Sequence, residues 1–160
     1  MNIAIIFAGG SGVRMGAGMP KQFLEINGKP IIIHTLDNFQ NSPSIDKIYI
    51  SCKKDYITTL QDLTKRFAIT KVCGIVEGGS NGQDSIYRAL RAADAENDKD
   101  AIALIHDGVR PFVSEEVIQK NIECVKQHGS AVTCTSFCET PILSKGGEEV
   151  EEMPLKKEMF

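Results

Sequence analysis

Short hydrophobic runs recur along the chain and alternate with amphipathic segments. The first run, NIAIIFA, covers residues 2–8, and others follow with the sequences IDKIYISC, KVCGIVE, AIALIHD and AVTCTSF. Each run is too short for an average helix, and the first is apolar at nearly every position, which is typical of strands buried on both faces of a sheet. The pattern therefore predicts a strand at each of these places.

Apolar residues recur with helical spacing in the segments between the runs. DSIYRALRAADAE places apolar residues at i, i+3, i+4 and i+7 from Ile86. SEEVIQKNIECVKQHG carries Ser114 as an N-cap, acidic residues in its first turn and Gly129 as a stop. PIIIHTLDNF and YITTLQDLTKRF predict further helices. The alternation predicts an α/β fold, with a Rossmann-like, mostly parallel sheet that carries helices on both faces.

The composition is that of an ordinary globular protein. The chain has 160 residues, 42% of them hydrophobic and 24% charged, which predicts a single domain and argues against a disordered or fibrous protein. A net charge of -3 argues against a broad nucleic-acid surface. No apolar run approaches the roughly 20 residues of a membrane span, and the N-terminus lacks the layout of a signal peptide. We therefore expect a cytoplasmic protein that binds neither nucleic acid nor membranes.

The cysteine pattern predicts neither a set of disulfide bonds nor a zinc site. Their number is odd, and they include neither a C-x-x-C pair nor the spacing of a zinc finger. They are Cys52, Cys73, Cys124, Cys134 and Cys138. We expect them to be reduced thiols in the core.

Unusual stretches follow several of the predicted strands. They are residues 9–21, EGGSNGQDS at 77–85, HDGVRP at 106–111 and CET at 138–140. Because ligands bind at the carboxyl ends of the strands in an open parallel sheet, we expect a ligand site there.

The first stretch lies in the loop FAGGSGVRMGAGMPKQ, which combines small residues with two cations. It matches neither the Walker pattern nor the dinucleotide fingerprint, whose third glycine is replaced by Met15. Its backbone N–H groups can still surround a phosphate. Arg14 and Lys21 can neutralise a triphosphate and the charge that develops when one of its phosphorus atoms is attacked. The simpler alternative is a glycine turn with two solvated cations.

The HDGVRP stretch offers both a carboxylate and a cation. Asp107 ends an apolar strand, and a lone carboxylate with phosphate oxygens and waters commonly holds Mg²⁺, although a turn cap is the alternative. Arg110 can bind a second anionic group or form a surface ion pair. We expect His106 to be packed or hydrogen-bonded rather than catalytic.

The glycine-rich stretch at residues 78–85 allows close backbone approach just before a predicted helix. Such a loop can read the edge of a small base by hydrogen bonds. The alternative is a flexible turn followed by Asp84 or Ser85 as a helix cap.

Together these motifs resemble a known family, the cytidylyltransferases that activate sugar-alcohol phosphates with CTP. AGGSGVRMG, MPKQFL, IIIHTL, EGG with DSI, and HDGVRPF stand in that family's order and at close to its spacing, over about residues 1–140. The family acts on 2-C-methyl-D-erythritol 4-phosphate, for isoprenoid biosynthesis, or on ribitol 5-phosphate, for teichoic acid or polysaccharide biosynthesis. AGG, PKQFLEI and RPF are closer to the ribitol branch. The implied fold is the nucleotide-diphospho-sugar transferase type.

The resemblance implies roles for individual residues. Those that would surround CTP and recognise its cytosine are Ala8, Gly9, Gly10, Ser11, Gly12, Gly79, Ser80 and Ser85. The catalytic residues would be Arg14 and Lys21, which stabilise the α-phosphate in the transition state, and Asp107 would hold Mg²⁺. The polyol phosphate would be bound by Arg110, Thr140 and Lys156, and the family threonine often reaches across a dimer interface. The resemblance thus implies a magnesium-dependent homodimer.

Three features depart from the family pattern. Asn81 and Gly82 stand where the family usually has an acid and an arginine, and Lys156 stands where it has a substrate-binding arginine. The chain ends at Phe160, whereas the family continues with a final strand, a helix and a second catalytic lysine. We therefore expect a single nucleotidyltransferase domain at 1–160 without the C-terminal third, and an irregular arm at 141–160. The alternatives are a nucleotidyltransferase for another NTP or sugar phosphate, and a non-catalytic nucleotide-binding fragment.

Overall fold

Parallel strands form the centre of the protein. A computed structural model describes residues 1–10, 19–96 and 100–135. The strands are β1 (Asn2–Ala8), β2 (Glu25–Ile26), β3 (Lys29–Pro30), β4 (Lys47–Cys52), β5 (Val72–Glu77) and β6 (Ile102–Asp107). The helices are α1 (Ile31–Asn41), α2 (Ile57–Arg66), α3 (Gly82–Glu96) and α4 (Glu115–His128).

The larger sheet has the strand order β5-β4-β1-β6, and each neighbouring pair in it is parallel. The short strands β2 and β3 form an antiparallel hairpin that leads into α1. The predicted α/β fold with a parallel sheet is therefore confirmed.

Burial of β1 on both faces explains its continuous hydrophobic run. On one face, Ala4 and Ile6 of β1 belong to a core cluster that includes residues of α1, α2 and α4. On the other face, Ile3 and Ile5 belong to a cluster with Ala89 of α3. Successive strand residues point to opposite faces, so a strand covered on both faces is apolar at every position. Each fully buried isoleucine contributes about 1.5–3 kcal/mol to folding.

The register of the sheet brings the carboxyl ends of its strands level. Phe7 of β1 lies opposite Asp107 of β6. On the other side, Ala8 lies opposite Cys52 of β4, which lies opposite Glu77 of β5. The loops that follow β1, β5 and β6 therefore leave the sheet at the same edge.

The predicted helices are all present, and the ends of α4 have the predicted chemistry. The Ser114 hydroxyl accepts a hydrogen bond from the Val117 N–H at 3.3 Å, and the last turn is closed by Gly129 in the left-handed conformation (φ 82°). The Gly129 N–H donates to the Val125 carbonyl at 2.8 Å. Glycine adopts this conformation without the steric cost of a Cβ atom.

The prediction of a strand at AVTCTSF is wrong over the part that the structure describes. Residues 131–135 form neither strand nor helix, and Val132 is 87% exposed. They border a groove of about 890 Å³ along β6 and α4, where Ile105 is 52% exposed. β-Branched residues favour a strand only where a neighbouring strand supplies hydrogen bonds and packing, and residues 131–135 have no such neighbour within the described ranges. Residues 136 and 137 lie outside the described residues.

The described cysteines are free, as expected, but only one of them lies in the core. Cys52 is buried, and burial raises the pKa of its thiol to about 11. Cys124 is half-buried, and Cys73 and Cys134 are exposed. The core prediction is wrong for these last two because Cys73 lies on an edge strand and Cys134 in the irregular segment after α4. Cys138 lies outside the described residues.

Within residues 1–10, 19–96 and 100–135, no helix is both long and apolar enough to cross a membrane. The same ranges contain no group of three or more His, Cys, Asp or Glu side chains that could hold a metal ion by themselves.

Candidate active site

Loops from different parts of the sequence meet at the carboxyl edge of the sheet. Gly9, directly after β1, lies against Ser85 at the start of α3, so that a Cβ atom on Gly9 would be 3.0 Å from the Ser85 hydroxyl. On the other side of β1, Phe7 is the register partner of Asp107. Three of the predicted stretches therefore come together, and the fourth, at residues 138–140, lies outside the described residues.

A buried glutamine connects the two ends of the first loop. The side chain of Gln22 is 2% exposed. Its amide nitrogen donates to the Ala8 carbonyl at 2.6 Å and to the Gly10 carbonyl at 3.2 Å. These bonds place the exposed Lys21 next to the start of the loop. Ser11, Gly12 and Arg14 lie outside the described residues.

A short 3-10 turn at Lys21–Phe23 fixes the backbone of Lys21. The Phe23 N–H donates to the Pro20 carbonyl at 3.0 Å. The Phe23 ring is 6% exposed and stacks on Tyr56, with 4.8 Å between the ring centroids. A buried aromatic residue two positions after Lys21 therefore anchors the turn, while the ammonium group remains in solvent where an anion can reach it.

The loop between β5 and α3 is organised around Ser85. The Ser85 hydroxyl accepts a hydrogen bond from the Gly79 N–H at 3.0 Å and donates to the Asn81 carbonyl at 2.8 Å. The side chain is 2% exposed. The Gly78 N–H donates to the Cys52 carbonyl at 2.7 Å, which ties the loop to the end of β4. The single hydrogen of the hydroxyl is thus used inside the loop.

Asp84 closes the same loop from its exposed side. Its Oδ2 accepts a hydrogen bond from the Ser80 N–H at 3.0 Å, and its own N–H donates to the Asn81 Oδ1 at 2.9 Å. The Ser80 N–H bond, and after it the bond from Arg88, lowers the pKa of the Asp84 carboxyl below its ordinary value of 3.8. A Cβ atom on Gly79 would overlap the Asp84 carboxyl, so no side chain fits there. The predicted cap at Asp84 or Ser85 is wrong, because both residues lie inside α3 and the side chain that caps the helix is that of Asn81.

Asp107 stands at the end of β6 with its carboxylate 29% exposed. Its Oδ1 accepts a hydrogen bond from the Val109 N–H at 3.1 Å, which is the predicted turn cap. Its Oδ2 lies 3.5 Å from Nε of Arg110, whose side chain is 77% exposed. A pair this exposed contributes little to stability, so both groups can be drawn to a ligand at small cost.

The donor set at Asp107 fits Mg²⁺ that arrives with a nucleotide. Mg²⁺ usually binds one or two carboxylates together with phosphate oxygens and waters. Asp107 offers Oδ2 beyond its turn-capping bond, and the described residues contain no multi-ligand metal cluster that would compete. The oxygen chemistry therefore suits a hard cation shared with a triphosphate.

Helix α1 holds the HDGVRP stretch in place, which the sequence pattern did not reveal. The buried Thr35 hydroxyl donates to the Gly108 carbonyl at 3.0 Å, and the Asn38 amide donates to the Pro111 carbonyl at 2.7 Å. The signal available in the sequence was Thr35 itself, a polar residue on the buried face of an apolar helix. His106 is packed as predicted, with its ring centroid 5.1 Å from that of Phe39.

The described groups provide complementary chemistry at one edge. Small residues end β1 and permit close backbone approach, Lys21 supplies a cation, Asp107 supplies a carboxylate, and Gly79 and Ser80 supply an accessible loop. Such an arrangement can bind a phosphorylated ligand with its metal ion and a ring beside it. Thr140 and Lys156 lie outside the described residues.

Comparisons with known proteins agree with this chemistry. The profile of the IspD family, described as 2-C-methyl-D-erythritol 4-phosphate cytidylyltransferase, matches residues 2–142. A ribitol-5-phosphate cytidylyltransferase of Streptococcus agalactiae serotype Ia is 49% identical over 154 residues, which are 96% of this chain and 64% of that protein. A 2-C-methyl-D-erythritol 4-phosphate cytidylyltransferase of Clostridium botulinum is 36% identical, over 99% of this chain and 68% of that protein.

A solved structure shares the fold as well. The crystal structure of 4-diphosphocytidyl-2C-methyl-D-erythritol synthase from Anaerococcus prevotii has a TM-score of 0.78 and 27% sequence identity, and the match covers 98% of this chain and 64% of that one. The chain therefore spans slightly less than two thirds of the length of the Streptococcus and Anaerococcus proteins. With most of its residues inside the family profile, the chain belongs to the IspD family of cytidylyltransferases.

Proposed function

We propose that the protein is a cytidylyltransferase that transfers CMP from CTP to a polyol phosphate and releases pyrophosphate. The observation that carries the proposal is the meeting of three loops at one sheet edge, where Gly9 contacts Ser85 and Phe7 pairs with Asp107. Family membership and the names of the relatives support the same reaction.

Each loop has its own part in the proposal. Backbone groups of the first loop surround the phosphates of CTP, and Lys21 and Arg14 neutralise the α-phosphate. Gly79 and Ser80 provide accessible backbone for the cytosine ring, while Ser85 holds their loop in shape. The polyol phosphate is bound by Arg110, Thr140 and Lys156.

The reaction needs positioning and charge stabilisation more than proton transfer. The attacking group is itself a phosphate, which is ionised near neutral pH, so no general base is essential. An oxygen of the polyol phosphate attacks the α-phosphorus in line, the bond to the β-phosphate oxygen breaks, and pyrophosphate leaves with that electron pair. Cations close to the α-phosphate stabilise the charge that develops during the transfer.

Mg²⁺ is the metal that we propose for this site, with Asp107 as its protein ligand. When bound, it neutralises phosphate charge and orients the triphosphate. The turn-capping bond from the Val109 N–H holds the Asp107 carboxylate in position for this role.

We infer ribitol 5-phosphate as the preferred polyol phosphate. The relative named for ribitol 5-phosphate is 49% identical, against 36% for the relative named for methylerythritol phosphate. We further infer that the enzyme is a cytoplasmic homodimer, because Thr140 and Lys156 match family positions of which the first often serves the partner subunit's site.

The test offers ribitol 5-phosphate and 2-C-methyl-D-erythritol 4-phosphate in parallel, each with CTP and Mg²⁺, to the longest native form of the chain. Pyrophosphate release with ribitol 5-phosphate is the expected result. A preference for methylerythritol phosphate would reverse the choice of branch and leave the cytidylyl chemistry intact. Binding of CTP without release of its pyrophosphate in the presence of either compound would reduce the protein to a nucleotide-binding domain.

A second candidate is a nucleotidyltransferase for another base. It is favoured by Asn81 and Gly82, because the Asn81 side chain caps α3 and Gly82 has no side chain, so neither supplies the charge that the family usually places in this loop. Equilibrium binding with Mg²⁺ separates the two candidates: tighter binding of UTP or GTP than of CTP would support the second.

A further inference from the structure

Gln22 bonds the start of the loop at residues 9–21, which we call the phosphate loop because the proposed function places the phosphates of CTP there. A glutamine side chain is normally exposed, yet this one is 2% exposed. Its surroundings are two backbone carbonyls, of Ala8 and Gly10, at 2.6 and 3.2 Å. Since both are acceptors, the amide nitrogen must face them, and each can receive one of its two hydrogens.

These bonds determine which way the peptide groups of the loop point. The described peptides are trans, so the N–H and the carbonyl of each point in opposite directions within the peptide plane. When Gln22 binds the Ala8 carbonyl, the Gly9 N–H of the same peptide points away from Gln22. The Gly10 carbonyl also faces Gln22.

The orientation matters because carbonyl oxygens and phosphate oxygens repel each other. A glycine-rich loop can turn its peptides either way, since its residues lack a Cβ atom to restrict them. An anion site requires N–H groups towards the ligand and carbonyls away from it. Gln22 provides this selection before any ligand binds, and it does so from the residue next to Lys21.

We propose that Gln22 is a positioning residue of the nucleotide site, whose buried amide holds the Ala8 and Gly10 carbonyls away from the phosphates. The proposal rests on the proposed function in taking CTP as the natural ligand. It predicts a defect confined to the phosphate part of the ligand.

The test compares Gln22→Met with Gln40→Met. Methionine keeps the length of the side chain and removes its donors. Gln40 is the control, because its side chain also bonds the backbone but lies near the end of α1: its Oε1 accepts the Lys71 N–H at 2.9 Å, and its amide donates to the Thr70 hydroxyl at 3.0 Å. Affinities are measured for CTP, cytidine and inorganic triphosphate, each with Mg²⁺, and carbon-13 shifts of the Ala8 and Gly10 carbonyls are recorded without ligand.

For Gln22→Met we expect the affinities for CTP and triphosphate to fall about tenfold, which corresponds to the loss of one or two hydrogen bonds. The affinity for cytidine should not change. The Ala8 and Gly10 carbonyl resonances should move in this variant and stay in place in Gln40→Met. Unchanged triphosphate affinity, or equal losses for cytidine and CTP, would overturn the proposal.

Failure of the proposed function is distinguishable from failure of this inference. If the parent protein binds triphosphate but not CTP, the cytidylyltransferase proposal falls, and the effect of Gln22→Met on triphosphate still decides the role of Gln22. If the parent binds neither, both fall. If Gln22→Met does not fold, the test is hydrogen exchange of the Gln22 side-chain amide in the parent protein. We expect slow exchange that slows further when triphosphate is added. Exchange as fast as that of an exposed glutamine, or exchange that triphosphate does not slow, would overturn the proposal.

Discussion

Gly9 lies directly against Ser85, although the two residues are far apart in the sequence. A Cβ atom on Gly9 would lie 3.0 Å from the Ser85 hydroxyl, which is already fixed by hydrogen bonds to Gly79 and Asn81. Gly9, at the start of the loop after β1, therefore has no room to shift towards the loop between β5 and α3. A side chain at position 9 would therefore compete for space with the Ser85 hydroxyl.

A double-mutant cycle tests this contact. We expect Gly9→Ala to weaken CTP binding because the new methyl group displaces a hydroxyl that cannot move without losing its bonds. In the Ser85→Ala background the same change should cost less, since the nearest remaining atom, the Cβ of residue 85, would be at an ordinary 3.8 Å. Contacting residues couple by roughly 0.5–3 kcal/mol in such cycles. Strictly additive losses, measured by calorimetry, would show that the two residues act independently.

Lys21 should matter more for the rate than for binding. Lys21→Ala removes charge that is needed most in the transition state, so we expect pyrophosphate release to fall on the order of 100-fold while CTP affinity changes far less. Lys65→Ala, at an exposed position of α2, is the control and should change neither. Equal losses in rate and affinity would identify Lys21 as a ground-state clamp.

Asp107→Asn should separate the metal role from the turn-capping role. An asparagine Oδ1 can still accept the Val109 N–H, so the turn should persist, but the amide lacks the charge that Mg²⁺ requires. We expect CTP binding to lose its dependence on Mg²⁺. Asp46→Asn is the matched control, because Asp46 also accepts a backbone N–H, from Asn2 at 2.7 Å, at the opposite edge of the sheet. If Mg²⁺ still strengthens CTP binding to Asp107→Asn as in the parent, Asp107 is only a cap.

The sequence was sufficient for the elements whose signals are local. Hydrophobic periodicity located the helices, and capping chemistry located Ser114 and Gly129 at the ends of α4. The contacts that support the site depend on the tertiary fold. Gln22 bonds carbonyls more than ten residues earlier, and Thr35 bonds Gly108, which is 73 residues away.

The strand prediction at residues 131–135 was wrong because it, too, depends on the tertiary fold. Their β-branched residues favour a strand, but a strand forms only where another strand or a helix pairs with it or covers it, and no local pattern reports that neighbour. The exposure of Val132 shows that this segment lacks such cover within the described structure.

The loop between β5 and α3 should keep its shape to unusually low pH. The Ser80 N–H and Arg88 stabilise the charged form of Asp84, so its pKa in the folded protein lies below 3.8, the ordinary value. A depressed pKa means that the carboxylate contributes stability above its unfolded pKa and loses this contribution as pH falls through the folded value. We expect the Ser80 amide resonance to titrate with a midpoint below 3.8, and this step to vanish in Asp84→Asn. A midpoint at or above the ordinary value would contradict the loop contacts.

Gly108 should tolerate no side chain, because the stretch after β6 packs directly on β1 and α1. A Cβ atom at this position would lie 2.7 Å from Cδ1 of Ile32, 3.1 Å from Cβ of Ala8 and 3.3 Å from the Phe7 carbonyl oxygen. Ile32 is fully buried, so its methyl group has no space into which it can retreat. We expect Gly108→Ala to lower the free energy of unfolding by about 1–3 kcal/mol, as overpacking of a core does.

Three further variants show whether overpacking is the cause. Ile32→Val removes the Cδ1 methyl group, so adding it to Gly108→Ala should recover part of the lost stability even though Ile32→Val alone is destabilising. Gly82→Ala is the matched control: a Cβ atom there would meet nothing within 4 Å, and alanine is the better helix former at the start of α3. Urea unfolding of the four proteins and the parent provides the measurement. If Gly108→Ala is as stable as the parent, or if Ile32→Val adds its full cost in the double variant, then residues 108–111 move aside freely and α1 does not fix the position of Asp107.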